Sequence, residues 1–131
     1  MRILLDTHIA LWAIVDDPRL PDQARRLIAD NENGILVSAA SVWEIAIKHA
    51  LARGTRSDMP ISGTAALKHF RAAGYELLAI TAEHTAAVER LPGRHADPFD
   101  RLLIAQALAE PLRLLTADAE VAKYNDSSIM V

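Results

Sequence analysis

The fold is decided by the stretch at residues 3–15, ILLDTHIALWAIV. Residues 3–5 are apolar, Asp6 and Thr7 follow, and residues 9–15 form an uninterrupted apolar run. A short apolar run suits a buried strand, and a Thr or Asp ahead of a longer apolar segment marks the start of a helix. We therefore expect a strand, then a helix over the second run that is capped by Thr7, with an acid at the junction.

Strand-like and helix-like segments continue to alternate along the chain. We expect further strands at residues 35–37, 77–80, 112–115 and 129–131. We expect helices between Pro21 and Asn31, from Ser38 or Ser41 to about Gly54, from Ser62 to Ala73 with Gly74 just past its end, from Thr81 to about Leu91, from Phe99 to Ala109, and from Asp118 to Tyr124. Such alternation implies a parallel sheet whose two faces are covered by the connecting helices. The predicted fold class is α/β, as one domain over residues 1–131 with a central parallel sheet of four to five strands flanked by helices on both faces.

Composition limits the partners and the setting of the protein. The 131 residues are 51% hydrophobic and 24% charged, carry a net charge of −3 and include no cysteine. The lack of cysteine excludes disulfides and thiolate zinc sites, and the longest apolar run is far too short to span a membrane. Because an acid already stands at position 6, the start is unlike a signal peptide, and we expect a cytoplasmic protein with no membrane partner. A nucleic-acid partner would need a metal ion or a local basic patch to offset phosphate repulsion.

Four acids fall where predicted strands end and helices begin. They are Asp6, Glu44, Asp100 and Asp118. Three of them also have a simpler interpretation as parts of helix caps. Ser41 and Glu44 match a capping box, Asp97 can cap a helix that holds Asp100 in its first turn, and Asp118 can cap the last helix. Asp6 differs because Thr7 is the better cap there.

Taken together, the acids predict a metal site. In open α/β sheets the reactive groups lie at the carboxyl ends of the strands. Acids gathered there repel one another, which raises at least one pKa unless a cation neutralises them. Oxygen ligands without cysteine or a helical His pair favour Mg²⁺ or Mn²⁺ over zinc. Such an ion joins carboxylates to a phosphate and activates water, which is the chemistry of phosphodiester hydrolysis. The Thr116 hydroxyl stands near Asp118 and is available to a water or a carboxylate.

Four blocks of the sequence resemble the acidic motifs of PIN domains, in order and over nearly the whole chain. The blocks are LLDTH at residues 4–8, SVWEI at 41–45, DPFDRLLIAQA at 97–107 and LLTAD at 114–118. The third block is highly specific, whereas a strand followed by Asp-Thr is a weak signal. Within PIN domains, the sequence is most similar to the VapC toxins of VapBC toxin–antitoxin pairs.

The resemblance implies a Rossmann-like sheet and an Mg²⁺- or Mn²⁺-dependent endoribonuclease whose substrate is RNA. It also implies a homodimer and inhibition by a cognate antitoxin protein. Residue by residue, the family's catalytic and metal-binding acids fall on Asp6, Glu44, Asp100 and Asp118, with Asp6 and Asp100 expected as direct ligands. Asp97 is an extra acid, either the helix cap or an accessory group, and Thr116 is a further accessory candidate. No acidic position is missing, so nothing indicates an inactive copy.

Three other side chains are candidates for RNA contact, and each has a structural alternative. His8 could touch substrate or pack at the start of its helix. Lys48 could reach a phosphate, although its spacing from Glu44 is that of an i,i+4 ion pair. Arg101 could contact RNA or pair with its neighbour Asp100.

Two further features are better explained by a structural role than by contact with RNA. Arg90, Arg94 and His95 form a small basic stretch, which could hold an RNA backbone but fits a solvated loop better. Trp12 and Trp43 lie at helical spacing that suits packing in the core, and not stacking on bases.

Competing functions are weighed on the same residues. A phospho-acceptor signalling domain has an aspartate at the end of its third strand and a lysine at the end of its fifth strand. This chain has Ile80 and Thr81 at the first of these positions and no lysine at the second. A phosphatase of the Asp-x-Asp type is excluded because Asp6 is followed by Thr7 and His8. The remaining alternative is a catalytically silent PIN-fold module that binds RNA or protein. The intact acids argue against it, and a metal titration would discriminate.

Overall fold

The computed structural model describes residues 1–51, 59–93 and 97–131. Within these ranges the strands are Arg2–Leu5 (β1), Gly34–Ser38 (β2), Glu76–Leu78 (β3), Arg113–Thr116 (β4) and Ile129–Met130 (β5). The helices are Thr7–Ile14 (α1), Asp22–Ala29 (α2), Ala39–Leu51 (α3), Gly63–Ala72 (α4), Ala82–Ala87 (α5), Pro98–Ala109 (α6) and Ala119–Ala122 (α7), with a 3₁₀ turn at Val88–Arg90 after α5.

These strands form one parallel sheet in the order β3-β2-β1-β4-β5. Leu4 of β1 is paired with Leu36 of β2 on one side and with Leu114 of β4 on the other. The chain therefore winds outward from β1 through β2 to β3 and then crosses to β4 on the opposite side of β1. The carboxyl ends of β1 and β4 mark the point where the winding direction changes, which is where α/β sheets place their ligands.

Side chains of the central strands alternate between two hydrophobic cores, one on each face of the sheet. On one face, Ile3 and Leu5 pack with residues of α1, α2 and α4, including the fully buried Phe70. On the other face, Leu4 packs with α6 residues such as Leu103. Because successive strand residues point to opposite faces, a strand that is apolar throughout must be covered on both sides. The predicted α/β class, with a central parallel sheet between helices, is confirmed.

The cap of α1 differs from the expectation. Asp6 is the N-cap, because its Oδ1 accepts the Thr7 N–H at 2.8 Å. Thr7 is the first helical residue, and its hydroxyl lies 2.9 Å from the hydroxyl of Ser41. The prediction that Thr7 caps the helix is therefore wrong, since a partner 34 residues away in the sequence takes up its hydroxyl.

The start of α3 settles a choice that the sequence left open. The helix begins at Ala39, and the Ser38 hydroxyl accepts the Ala40 N–H at 2.9 Å. Ser38 is thus the residue that opens α3, and the capping box between Ser41 and Glu44 is wrong. Glu44 lies in the second turn of the helix, so helix capping does not account for it.

The sequence also predicts where the helices α3 and α4 end. Gly74 follows α4 with a φ of 83°, as predicted, because glycine tolerates this left-handed backbone. The expected end of α3 at Gly54 lies outside the described residues, as do Arg94 and His95 of the basic stretch. No helix in the described part of the chain has both the length and the apolar character needed to cross a bilayer.

Candidate active site

An open cleft of about 540 Å³ lies at the carboxyl edge of the sheet. The end of β1, the helices α1 and α3, the start of α6 and the segment after β4 contribute side chains to it. Five acids line it, namely Asp6, Glu44, Asp97, Asp100 and Asp118. The structure thus brings the four sequence-predicted acids and the extra Asp97 to one cleft.

The sheet side of the cleft consists of Asp6, Thr116 and Asp118. The Thr116 hydroxyl donates to Asp6 Oδ2 at 2.6 Å and accepts the Asp118 N–H at 3.0 Å. Thr116 is fully buried, and Asp6 is only 9% exposed. Asp118 is exposed and caps α7 through the Glu120 N–H. One hydroxyl therefore links the acid after β1 to the acid after β4, because the two strands are neighbours in the sheet.

Burial raises the pKa of Asp6 above its ordinary value of 3.8. The hydrogen bonds from Thr116 and Thr7 and the charge of His8 lower this pKa in part, and the charge of Glu44 adds a smaller increase. The direction agrees with the expectation that an acid of this group has a raised pKa. The cause differs from the expected one, because loss of hydration outweighs repulsion between carboxylates.

The helix side of the cleft consists of Glu44, Lys48, Asp97 and Asp100. Glu44 is only 3% exposed, and its Oε2 accepts a hydrogen bond from Lys48 Nζ at 2.6 Å. Its Oε1 is buried and has no hydrogen-bond partner among the described residues. A buried carboxylate oxygen without a partner is costly, so this atom marks the place where a further ligand would stabilise the protein.

The Lys48 amine lies within the field of three acids. Burial works against its charge, but the hydrogen bond and charge of Glu44, together with the charges of Asp97 and Asp100, raise its pKa overall above 10.5. The i,i+4 ion pair that the spacing predicted is present. Lys48 also lines the cleft, so this pair does not remove it from the site.

The start of α6 supplies two acids with different tasks. Asp97 Oδ1 accepts the N–H groups of Phe99 at 2.8 Å and Asp100 at 3.2 Å, so Asp97 is the helix cap. Pro98 stands at the first helical position, which suits a residue without an N–H. Asp100 lies half-buried in the first turn and is not needed as a cap.

The remaining candidates separate into those that line the cleft and those that do not. His8 lines it, with its ring 5.8 Å from that of Trp12. Arg101 is not among the described lining residues, and its guanidinium donates to the backbone carbonyls of Val88, Leu91 and Pro92. Arg101 therefore fastens the segment that leads toward α6, and its contact with RNA stays a prediction.

The two tryptophans do not share one environment. Trp12 is partly buried against the core and also lines the cleft. Trp43 is 53% exposed and meets the ring of Phe99 edge-on at 4.9 Å, so the expectation that it packs in the core is wrong. Helical spacing predicted a core position for both tryptophans, because spacing alone does not show which face of a helix is covered by another element.

Sequence reasoning missed Arg19 as a residue of the cleft. It follows α1 in the turn before α2 and lines the cleft beside Trp12. No spacing or motif in the sequence connects it with the acids. A cation that faces an acidic cleft is visible only once α1 and this turn are packed against the sheet.

The donor set fits Mg²⁺ or Mn²⁺. The acids offer only hard oxygen atoms, which these ions prefer, and Glu44 Oε1, which has no partner within the described ranges, is a ligand atom available at the site. Within residues 1–51, 59–93 and 97–131, no three acidic or histidine side chains are already gathered as a metal cluster. Asp118 is exposed and Asp100 half-buried, so both can turn toward an ion without opening the core.

The family model that describes the PIN domain matches residues 3–126. The chain belongs to the PIN-domain family. Ribonuclease VapC22 of Mycobacterium tuberculosis is 31% identical over 127 residues, which cover 93% of this chain and 91% of that protein. The resemblance to PIN domains and to their VapC branch is confirmed.

Solved structures share the fold of this PIN domain over its full length. VapBC2 from Rickettsia felis, bound to a DNA fragment from its promoter, is 21% identical with a TM-score of 0.67 and covers 100% of this chain and 98% of its own. VapC20 of Mycobacterium tuberculosis, a toxin that cleaves the sarcin–ricin loop, is 18% identical with a TM-score of 0.66 and covers 98% of both chains. At these identities the likeness establishes the fold.

Proposed function

We propose that this PIN domain is an Mg²⁺- or Mn²⁺-dependent endoribonuclease that hydrolyses RNA phosphodiester bonds in the cytoplasm as the toxin of a VapBC-type module. The observation that carries the proposal is the buried Glu44 Oε1 atom, which has no described partner in a cleft lined by four further acids. A site built for stability alone would not leave such an atom unpaired beside other negative charges. The ribonuclease VapC22 supports the activity, since it is a relative over nearly the whole chain.

The acids would divide the work according to their surroundings. Asp6 and Asp100 would hold the ion, with Glu44 and Asp118 completing its ligands. Thr116 fixes the orientation of the Asp6 carboxylate, and Lys48 balances part of the charge on Glu44 while RNA and ion are absent. When bound, such an ion polarises the phosphate and lowers the pKa of a water molecule.

The partners follow from the same cleft. We propose a cognate antitoxin that inserts a basic side chain, most suitably Arg, among the carboxylates, because its planar fork pairs with them bidentately. Inhibition is then competitive with Mg²⁺ or Mn²⁺. The likeness of fold to VapBC2 supports such a partner. A homodimer also belongs to the proposal, and sedimentation of the isolated chain tests it.

The decisive experiment compares two aspartates that are three residues apart on α6. Asp100→Asn should abolish RNA cleavage, with a loss on the order of a thousandfold, since the ion contributes several kcal/mol to the barrier. Asp97→Asn should keep most of the activity, because Asn caps a helix about as well as Asp. Both variants are assayed on single-stranded RNA with Mn²⁺, and the thermal shift on adding Mn²⁺ gives a readout independent of activity.

Two outcomes would contradict this division of labour. If Asp97→Asn were as inactive as Asp100→Asn, Asp97 would be more than a cap. If the wild-type chain bound RNA but showed neither cleavage nor any response to Mn²⁺, the chain would be the catalytically silent RNA-binding module instead.

A further inference from the structure

One wall of the cleft is formed by His8, Trp12 and Arg19, a set without any acid. His8 and Trp12 lie one turn apart on α1, and their rings are 5.8 Å apart. Arg19 comes from the turn after α1, and its Cζ atom lies 5.2 Å from the centre of the Trp12 ring. All three line the cleft that holds the acids.

Arg19 is held in a defined orientation before any ligand arrives. Its Nη2 donates to Asp17 Oδ2 at 2.8 Å, its Nε donates to both Asp17 oxygens at 3.2 Å, and its backbone N–H donates to Asp17 Oδ1 at 2.8 Å. These hydrogen bonds hold the pKa of Asp17 below its usual value, so the pair stays charged. The indole beneath the guanidinium adds a cation–π contact. A guanidinium that is held by a carboxylate at one edge and by an aromatic ring at its flat face is preorganised for binding.

The charges of the cleft show why a cation is needed at this wall. Among the described lining residues there are five acids but only two lysine or arginine side chains, Lys48 and Arg19. Lys48 is paired with Glu44, which is itself one of the acids of the cleft. One partner of Arg19 is Asp17, which is not among the described residues that line the cleft. Arg19 therefore brings to the cleft a guanidinium whose ion-pair partner Asp17 lies outside the described lining.

We propose that Arg19, oriented by Asp17 and stacked on Trp12, binds a phosphate of the RNA strand beside the bond that is cut. This subsite rests on the proposed ribonuclease function. The guanidinium pairs with Asp17 along its Nε–Nη2 edge, and its Nη1–Nη2 edge carries the two parallel N–H donors that match a phosphate, which an amine cannot offer. A phosphate fits better than a base, because the Trp12 ring already has Arg19 over it and His8 beside it.

The experiment measures RNA binding in an Asp100→Asn background, so that cleavage does not consume the probe. The probe is a fluorescein-labelled single-stranded RNA oligonucleotide, and its anisotropy gives Kd over a series of salt concentrations at fixed Mg²⁺. Adding Arg19→Ala should weaken binding on the order of tenfold at low salt, as expected for a charge-assisted hydrogen bond. The slope of log K against log salt should become shallower by about 0.7, the value for one phosphate contact on a single strand. The loss should be similar for RNAs of different sequence.

Two comparison variants separate this role from a structural one. Arg25→Ala is the matched control. Arg25 pairs at 2.7 Å with Asp16, the residue next to Asp17, but it is not among the described residues that line the cleft. It should leave both Kd and the salt slope unchanged. Arg19→Lys should keep the salt slope but not the full affinity, since lysine binds phosphate as a point charge. Thermal melting of each variant checks folding, and Arg19→Lys gives the answer if Arg19→Ala is unstable.

The outcomes distinguish the subsite from the function on which it rests. If the wild type cleaves RNA and Arg19→Ala matches Arg25→Ala in Kd and slope, the subsite is overturned and the ribonuclease stands. If Arg19→Ala weakens only the binding of an antitoxin and not of RNA, the wall is a protein contact and the subsite is again overturned. If the wild type neither cleaves nor binds RNA, both proposals fall.

Discussion

The sheet side of the cleft gives Asp6 a donor on each carboxylate oxygen, whereas the helix side pairs one Glu44 oxygen with Lys48 and leaves the other without a partner among the described residues. Both carboxylates are nearly as buried as the core around them. The sheet side uses neutral donors, the Thr7 N–H at the start of α1 and the Thr116 hydroxyl at the end of β4. The helix side uses a charged donor, the amine of Lys48, whose side chain is 43% exposed.

This difference indicates that the two sides prepare for a cation in different ways. Neutral hydrogen bonds orient Asp6 whether or not an ion is bound. The Lys48 amine holds a positive charge beside Glu44 that an ion could replace, since an ion supplies the same charge to the unpartnered oxygen. The sheet side should therefore govern activity and orientation, and the helix side should govern stability without metal.

The largest effect that tests this comparison is expected for Thr116→Val, which keeps the shape and removes the hydroxyl. Asp6 loses its donor on Oδ2, and the Asp118 N–H loses its acceptor. Groups that orient a metal ligand typically contribute 10- to 100-fold, so we expect about that loss in kcat/KM. The free energy of unfolding should fall by about 1–3 kcal/mol, the cost of leaving buried polar groups unpaired.

Thr85→Val is the matched control for Thr116→Val. The Thr85 hydroxyl donates to the Ala82 carbonyl of its own helix, and the residue is exposed. Its unfolding free energy in urea should change by roughly 0.5 kcal/mol or less. Equal losses in the two variants would show that the Thr116 hydroxyl has no special part in the sheet side.

A smaller effect, whose size depends on metal, is expected for Lys48→Met. Without metal, Glu44 loses its only described partner, and the protein should be less stable by about 1–2 kcal/mol, a value discounted because Lys48 is partly exposed. Mn²⁺ should recover this loss, so the rise in Tm on adding Mn²⁺ should be larger in Lys48→Met than in the wild type. Lys123→Met, which breaks an exposed pair with Glu120, should show neither change. A Tm response to Mn²⁺ that equals the wild type's would contradict the replacement of Lys48 by an ion.

The smallest effect concerns the pH dependence of stability in the metal-free protein. Because the folded pKa of Asp6 is raised, the unfolded chain releases this proton first as pH rises above 3.8. The folded state then binds more protons than the unfolded state, so the contribution of Asp6 to stability falls as pH rises through that window. The difference in unfolding free energy between wild type and Asp6→Asn should shift in favour of Asp6→Asn from acid to neutral pH.

Asp17→Asn provides the opposite sign in the same urea titrations. The folded pKa of Asp17 is lowered by Arg19, so its contribution is present above 3.8 and is lost as pH falls through the folded pKa. Wild type should therefore gain on Asp17→Asn as pH rises. If the unfolding free energies of wild type and Asp6→Asn changed in parallel with pH, folding would not raise the pKa of Asp6.

Local sequence was sufficient where a residue and its partners are close along the chain. The cap at Asp97, the first-turn position of Asp100 and the pairing of Lys48 with Glu44 span at most four residues, and all are as predicted. Local sequence failed where a distant residue competed for the same group. Thr7 does not cap α1, because its hydroxyl is engaged by Ser41 from α3.

By itself, the sequence determined that strands and helices alternate, that the sheet is parallel with two covered faces, and that Asp6, Asp100 and Asp118 stand at the carboxyl ends of strands or the starts of helices. These features follow from hydrophobic patterns that repeat every few residues, and such patterns can be read directly from the sequence. Only the tertiary structure decided that Thr116 bonds to Asp6 across 110 residues, that Glu44 keeps a buried oxygen with no partner in the described part of the chain, and that Arg19 faces the acids. The physical reason is the strand order, which sets β4 beside β1 and so determines which distant groups share a cleft and lose their water.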